Sequence, residues 1–178
     1  MVRTVKDPRD ICQSPPEAVW LLGALNPRWV IWEPACGEGN LVRALRRQHQ
    51  KVIATDILQG HDFLSWQPKQ EWDAIVTNPP FTLKYLFLKR CIELHKPWAL
   101  LMPFAVFGSK TFNSLTSGLD LKCFYPIKRI AYKMPFKGWD GSPTQATVWI
   151  TSGFPAAAQR CIRMYMNPDW TQPKRKGQ

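Results

Sequence analysis

The chain is short of acid, of paired cysteine and of long apolar stretches. Only 13 Asp and Glu stand against 24 Lys and Arg, a net charge of +11. The imbalance is uneven: residues 121–178 hold ten basic and two acidic side chains, a net +8, and the first 120 carry the other +3. A basic C-terminal third points to a polyanion, most simply nucleic acid, with a solubilising surface as the plain alternative. The five cysteines, Cys12, Cys36, Cys91, Cys123 and Cys161, are odd in number, scattered, and contain no C-x-x-C pair. That fits a reducing, cytoplasmic setting better than a disulfide framework. Cys91 and His95 are four apart on a predicted helix and could share a face, but no second pair of ligands accompanies them. No metal is therefore expected, and Cys91 reads as buried filler. The longest apolar run, Trp98 to Phe107, is broken by Pro103 and too short to span a bilayer. Met1 to Asp10 is charged and has no apolar core, so neither a signal peptide nor a membrane partner is expected.

What is present suits one domain with one core: 178 residues, 45% of them hydrophobic, with no internal repeat and no inter-domain linker. Residues 1–13 read as a flexible arm, 14–170 as the domain, and 171–178 as a basic disordered tail. Ser14-Pro15-Pro16-Glu17 has the form of a helix start, and the helix should run to about Leu25. Short apolar runs predict strands at Trp29–Trp32, Lys51–Thr55, Trp72–Thr77 and Trp98–Met102. Between them, helices are predicted over Asn40–Gln48 and Leu83–Leu94, with a further one over Lys110–Leu119. Only five residues separate Asp56 from Asp62, so any element there is rudimentary. Two last strands, Lys122–Met134 and Thr144–Thr151, are joined by a loop too short for a helical crossover and should pair antiparallel. Alternating strands and helices predict an α/β fold: a mostly parallel, Rossmann-like sheet with helices on both faces and a C-terminal antiparallel hairpin.

In open sheets of this kind, ligands bind beyond the carboxyl ends of the strands. Glu33, Asp56 and Asn78 each close a predicted strand, so all three should lie along one edge. After Glu33 comes Pro34-Ala35-Cys36-Gly37-Glu38-Gly39, a turn whose glycines let backbone approach a ligand. It lacks the third glycine of a pyrophosphate fingerprint, and Glu33 would repel phosphates. A ligand with a cationic amino-acid end suits it better. Asp56, followed by Ile57, has the chemistry to accept two ribose hydroxyls. Asp62 and Phe63 suit an adenine edge and its ring face, although an Asp in a turn is the commoner reading. Asn78-Pro79-Pro80-Phe81 sets an amide, two prolines and an aromatic at a strand's mouth, a grouping suited to a planar amine.

This ordered set resembles the amino-methyltransferases that use S-adenosylmethionine, and in its order it is similar to the DNA adenine-N6 methylases. The likeness runs from about Ser14 to Ile150. It implies a class I methyltransferase fold and S-adenosylmethionine held by Ser14, Pro15, Glu33, Pro34, Ala35, Gly37, Gly39, Asp56, Ile57, Asp62, Phe63 and Asn78. It also implies catalysis by Asn78, Pro79, Pro80 and Phe81. The amide oxygen of Asn78 and the carbonyl of Pro79 would accept the two N–H bonds of an exocyclic adenine amine. Phe81 would stack on the extruded base. The loop Pro135–Pro143 is where such families often place a second aromatic, making Phe136 and Trp139 candidates. Lys84, Lys128, Lys133 and Lys137 are candidates for phosphate contact.

The chain departs from sequence-specific DNA methylases in lacking room for a separate target-recognition region, so little or short sequence specificity is expected. Compact enzymes of this kind resemble those of phages and prophages, where broad methylation would shield DNA from restriction. Three alternatives remain open: RNA methylation at adenine N6 or guanine N2, methylation of a protein glutamine, and an inactive nucleic-acid-binding module.

Overall fold

The computed structural model describes residues 14, 17–20, 22, 25–48, 50–124, 146–154 and 161–164. Among these, seven strands form one sheet. In chain order they are β1 (Val30–Glu33), β2 (Lys51–Ala54), β3 (Ala74–Thr77), β4 (Trp98–Pro103), β5 (Leu121–Phe124), β6 (Thr147–Ser152) and β7 (Cys161–Met164). The helices are α1 (Glu17–Trp20), α2 (Asn40–Arg47), α3 (Lys84–Glu93) and α4 (Lys110–Thr116). Across the sheet the strands run β2-β1-β3-β4-β6-β5-β7.

The first four strands pair in parallel. β6 then runs antiparallel to both β4 and β5, and β7 antiparallel to β5. The expected antiparallel hairpin is therefore present as β5 and β6. It is inserted with β6 against β4, so the later strand lies inside the earlier one. β7 is an addition that the sequence did not signal.

Alternation along the strands sorts the core into two layers. Ile31, Ala74, Val76, Ala99, Leu101, Phe124 and Trp149 face Ala18 and Val19 of α1 and Leu41, Ala44 and Leu45 of α2. Trp32, Ile75, Leu100, Met102, Leu121, Cys123, Val148 and Ile150 face Phe87, Leu88 and Cys91 of α3 and Phe112 of α4. Helices thus cover both faces, as expected. The indole N–H of Trp149 donates to the Ala18 carbonyl at 2.6 Å, which ties α1 to the sheet.

Several boundaries shift for identifiable reasons. The strand expected from Trp72 begins at Ala74 because Asp73 works as a clasp: its backbone N–H donates to the Val30 carbonyl and its carboxylate accepts the Val30 N–H at 2.7 Å. α3 ends at Glu93, and His95 lies beyond it with a left-handed φ of 52°. His95 therefore does not share a helical face with Cys91. Cys91 is fully buried in the core, and that burial raises its thiol pKa. The reach from Asp56 to Asp62 holds only a 3-10 turn, Ile57–Gln59.

Candidate active site

Because β1 to β4 are parallel, their carboxyl ends share one edge, and the strand order reverses direction between β1 and β3. A crevice at such a reversal is where open α/β sheets place ligands. Glu33 ends β1, and Thr77 followed by Asn78 ends β3. The reversal therefore brings together the acidic turn and the amide that the sequence singled out.

The turn after β1 is fastened to the end of β2. The Thr55 N–H donates to the Glu33 carbonyl at 2.9 Å, and the Cys36 N–H to the Thr55 carbonyl at 3.0 Å. The Thr55 hydroxyl accepts the buried Trp32 indole N–H at 2.9 Å. Asp56 completes the fastening. One carboxylate oxygen accepts the Gly37 N–H and the other the Leu58 N–H, both at 2.9 Å. Gly37 and Gly39 have φ of 49° and 79°, left-handed values that a side chain would strain. Gly39 also opens α2. Both Asp56 oxygens are thus engaged with backbone, and each keeps a lone pair for a further donor.

Glu33 is fully buried. One of its oxygens accepts the Ala35 N–H at 3.0 Å and the Thr77 hydroxyl at 2.5 Å. The other oxygen is buried and has no hydrogen-bond partner among the described residues. Loss of water dominates its titration, raising the pKa from 4.5 to about 8. The two hydrogen bonds pull it down, and the nearby Asp56 charge pushes it up. At neutral pH Glu33 is accordingly held as a neutral acid with its proton on the free oxygen, and a cation arriving there would favour the ionised form. Cys36 in the same turn is pushed up to about 11, first by burial and then by Asp56 and Glu33, so it is a thiol rather than a thiolate nucleophile.

Asn78 is half-buried, and its Oδ1 is buried and meets no donor among the described residues. A buried amide oxygen left unpaired costs on the order of 1–3 kcal/mol. Such an atom at a strand mouth is a candidate for ligand contact. Pro79 is buried, while Pro80 and Phe81 are half-buried. Phe81 packs against the core layer beneath α1 and α2. Lys84 turns back on this loop: its ammonium donates to the Phe81 carbonyl at 2.9 Å and lies 4.7 Å from the Tyr85 ring centroid. One of its three N–H donors is thus spent on the loop's own backbone.

Two expectations need revision or qualification. Phe63 is only 2% exposed, with its ring 5.1 Å from that of Trp32 and 4.7 Å from that of Phe87. It is a core aromatic, and its placement does not offer a face to an adenine. Asp62 accepts the Leu64 N–H at 3.0 Å, the local turn contact that was the commoner reading of it. Ser14 is buried and Ile57 half-buried. Pro15, Lys128, Lys133, Phe136, Lys137 and Trp139 lie outside the described residues. Sequence reasoning missed Thr55 and Thr77. Both are hydroxyls at the end of an apolar strand, and that position was the available signal.

No family model matches the chain. The Type II methyltransferase M.CvrRI of Paramecium bursaria Chlorella virus XZ-6E is 25% identical over 169 residues, covering 71% of this chain and 43% of the relative. The chain therefore spans less than half of that relative's length. Among solved structures, a candidate class I S-adenosylmethionine-dependent methyltransferase from Listeria monocytogenes superposes with a TM-score of 0.52 at 16% identity. It covers 97% of this chain and 66% of the other. The 23S rRNA methyltransferase ErmE gives 0.52 at 18% identity over 85% and 69% of the two chains. The fold is that of the class I S-adenosylmethionine-dependent methyltransferases. In sequence, the chain is similar to a Type II methyltransferase.

Proposed function

We propose that this chain is an S-adenosylmethionine-dependent methyltransferase acting on the exocyclic N6 amine of adenine in DNA, with little or short sequence specificity. The observation that carries the reading is the buried Oδ1 of Asn78, which meets no donor among the described residues, at the mouth of β3 beside the acid-and-glycine turn. The methyltransferase fold and the sequence match to a Type II methyltransferase support it, and the latter favours DNA over RNA.

The residues fit the cofactor. The free oxygen of Glu33 suits the ammonium of its amino-acid end, and the left-handed glycines bring bare backbone to the crevice. The carboxylate of Asp56 retains lone pairs for ribose hydroxyls. When bound, S-adenosylmethionine supplies an electrophilic methyl group on a sulfonium.

The chain's own part is to prepare the amine. An adenine N6 lone pair is delocalised into the ring and attacks poorly. Asn78 Oδ1 and the Pro79 carbonyl accept its two N–H bonds, which favours a pyramidal nitrogen and stabilises the positive charge that develops there. Held by Glu33, Asp56 and the glycine turn, S-adenosylmethionine would supply the methyl group that this lone pair takes, its sulfur keeping the C–S electron pair. The methylated nitrogen, now acidic, gives up its proton without a dedicated base. Pro79 and Pro80 stiffen the loop, so the acceptors need little reorganisation at the moment of reaction. Phe81 takes the ring of the extruded base, and Phe136, Trp139, Lys133 and Lys137 serve as further substrate contacts.

Labelled methyl transfer onto unmethylated duplex DNA, single-stranded DNA and total RNA, followed by nucleoside identification, tests this. N6-methyldeoxyadenosine is expected. Label appearing only in RNA nucleosides would favour the RNA alternative, and no label in any nucleic acid would contradict the assignment.

A further inference from the structure

The Glu33–Thr77 hydrogen bond spans the point where the strand order reverses, and nothing in the proposed chemistry yet uses it. Both residues are fully buried, so neither is there for solubility. The bond is short, 2.5 Å, and it joins positions 44 apart in sequence. One end carries the acid proposed above to meet the cofactor's ammonium, and the other is the residue immediately before Asn78. Burial of a hydroxyl at a strand end is tolerated when it has a strong acceptor, and a carboxyl is one.

We propose that Thr77 is a positioning residue: its hydroxyl holds the Glu33 carboxyl in the crevice and thereby locks the cofactor turn to the Asn78 loop. This rests on the methyltransferase reading above. The hydroxyl acts on Glu33 in two ways. It fixes one oxygen, leaving the other directed at the ligand, and it favours the ionised form that an ammonium needs. Binding of the cofactor then moves the Glu33 proton to solvent. The other titratable groups facing this acid are the Asp56 carboxylate, which opposes its ionisation, and the neutral Cys36 thiol. Thr77 is the side chain that works against Asp56. At the other end of the bond, the same contact limits the freedom of the backbone that carries Asn78.

The test compares Thr77→Val, which keeps the shape, with Thr77→Ser, which keeps the hydroxyl. In the cofactor-free protein, the Glu33 carboxyl is titrated by its carbon-13 shift. We expect the midpoint in Thr77→Val to rise above the wild-type value of about 8, by roughly one pH unit, as loss of a hydrogen bond to the charged form implies. Thr77→Ser should stay near wild type. With S-adenosylmethionine saturating, methyl transfer by Thr77→Val should fall by about 10- to 100-fold and that by Thr77→Ser by less than about 3-fold. If Thr77→Val does not fold, Thr77→Cys, a weak donor of similar size, takes its place with the same expectations. A Thr77→Val protein with the wild-type midpoint and wild-type transfer would overturn the positioning role while leaving the methyltransferase assignment standing. A wild-type protein that binds no S-adenosylmethionine would take both down.

Discussion

At the residue scale, two oxygens of the site, one on Glu33 and one on Asn78, are buried and have no hydrogen-bond partner among the described residues. Burial has opposite consequences for them. Glu33 can answer by keeping its proton, whereas the Asn78 amide has no such escape. The Glu33 proton makes stability depend on pH in a stated direction. Its native pKa of about 8 exceeds the ordinary 4.5, so between those values the folded chain holds a proton that the unfolded chain releases. The contribution is fully present below about pH 4.5, declines as pH rises, and is lost above about pH 8, with an upper bound of roughly 5 kcal/mol. Glu33→Gln removes the titration. Thermal melts should show this variant losing less stability than wild type between pH 5 and 8, while calorimetry shows weaker S-adenosylmethionine binding. A variant whose stability follows the wild-type pH profile would mean that Glu33 is not buried as a neutral acid.

At the element scale, the turn between β1 and α2 is held less by its own sequence than by the end of β2. Asp56 both caps the 3-10 turn through Leu58 and anchors Gly37. Asp56→Ala should therefore cost about 1–2 kcal/mol in urea unfolding, and it should also weaken cofactor binding. Unchanged stability would separate the turn from β2. Much of this edge was legible. Short apolar runs ended by Glu33, Asp56 and Asn78 are strands with polar mouths, and the spacing of Leu41, Ala44 and Leu45 gives α2 its buried side. What was not legible depends on direction or on distant partners. Asp62-Phe63 reads the same whether the ring points at a ligand or, as here, at Trp32. The partner of Thr77 is 44 residues away, so no local pattern announces it. Lys84 folds onto Phe81 because that carbonyl lies one helical turn behind it, a choice that a helix pattern does not decide.

At the scale of the whole molecule, the parallel half, β2-β1-β3-β4, builds the crevice, and the antiparallel half, β6-β5-β7, closes the sheet on its other side. The alternation of strands and helices foretold the first half. β7, Cys161–Met164 at the sheet's far edge, was not expected, since Arg163 breaks its apolar run. The net charge of +11 acts at this scale as well. If nucleic acid is the partner, its affinity should fall steeply with salt. The logarithmic slope should be roughly −0.9 per phosphate neutralised on a duplex, with similar slopes on unrelated sequences if base readout is slight. Filter binding across sodium chloride concentrations measures this. A salt-independent affinity would exclude phosphate contacts as the main source of binding.

The account stands or falls on Asn78 Oδ1. Single-turnover methyl transfer to duplex DNA should be compared for wild type and Asn78→Ala, with S-adenosylmethionine affinity and urea stability measured on the same preparations. Removing an acceptor that meets no donor among the described residues should leave stability unchanged or raise it by up to about 3 kcal/mol and keep cofactor affinity within about threefold, while transfer drops by 100-fold or more. An Asn78→Ala protein that transfers methyl groups at the wild-type rate would contradict the central claim.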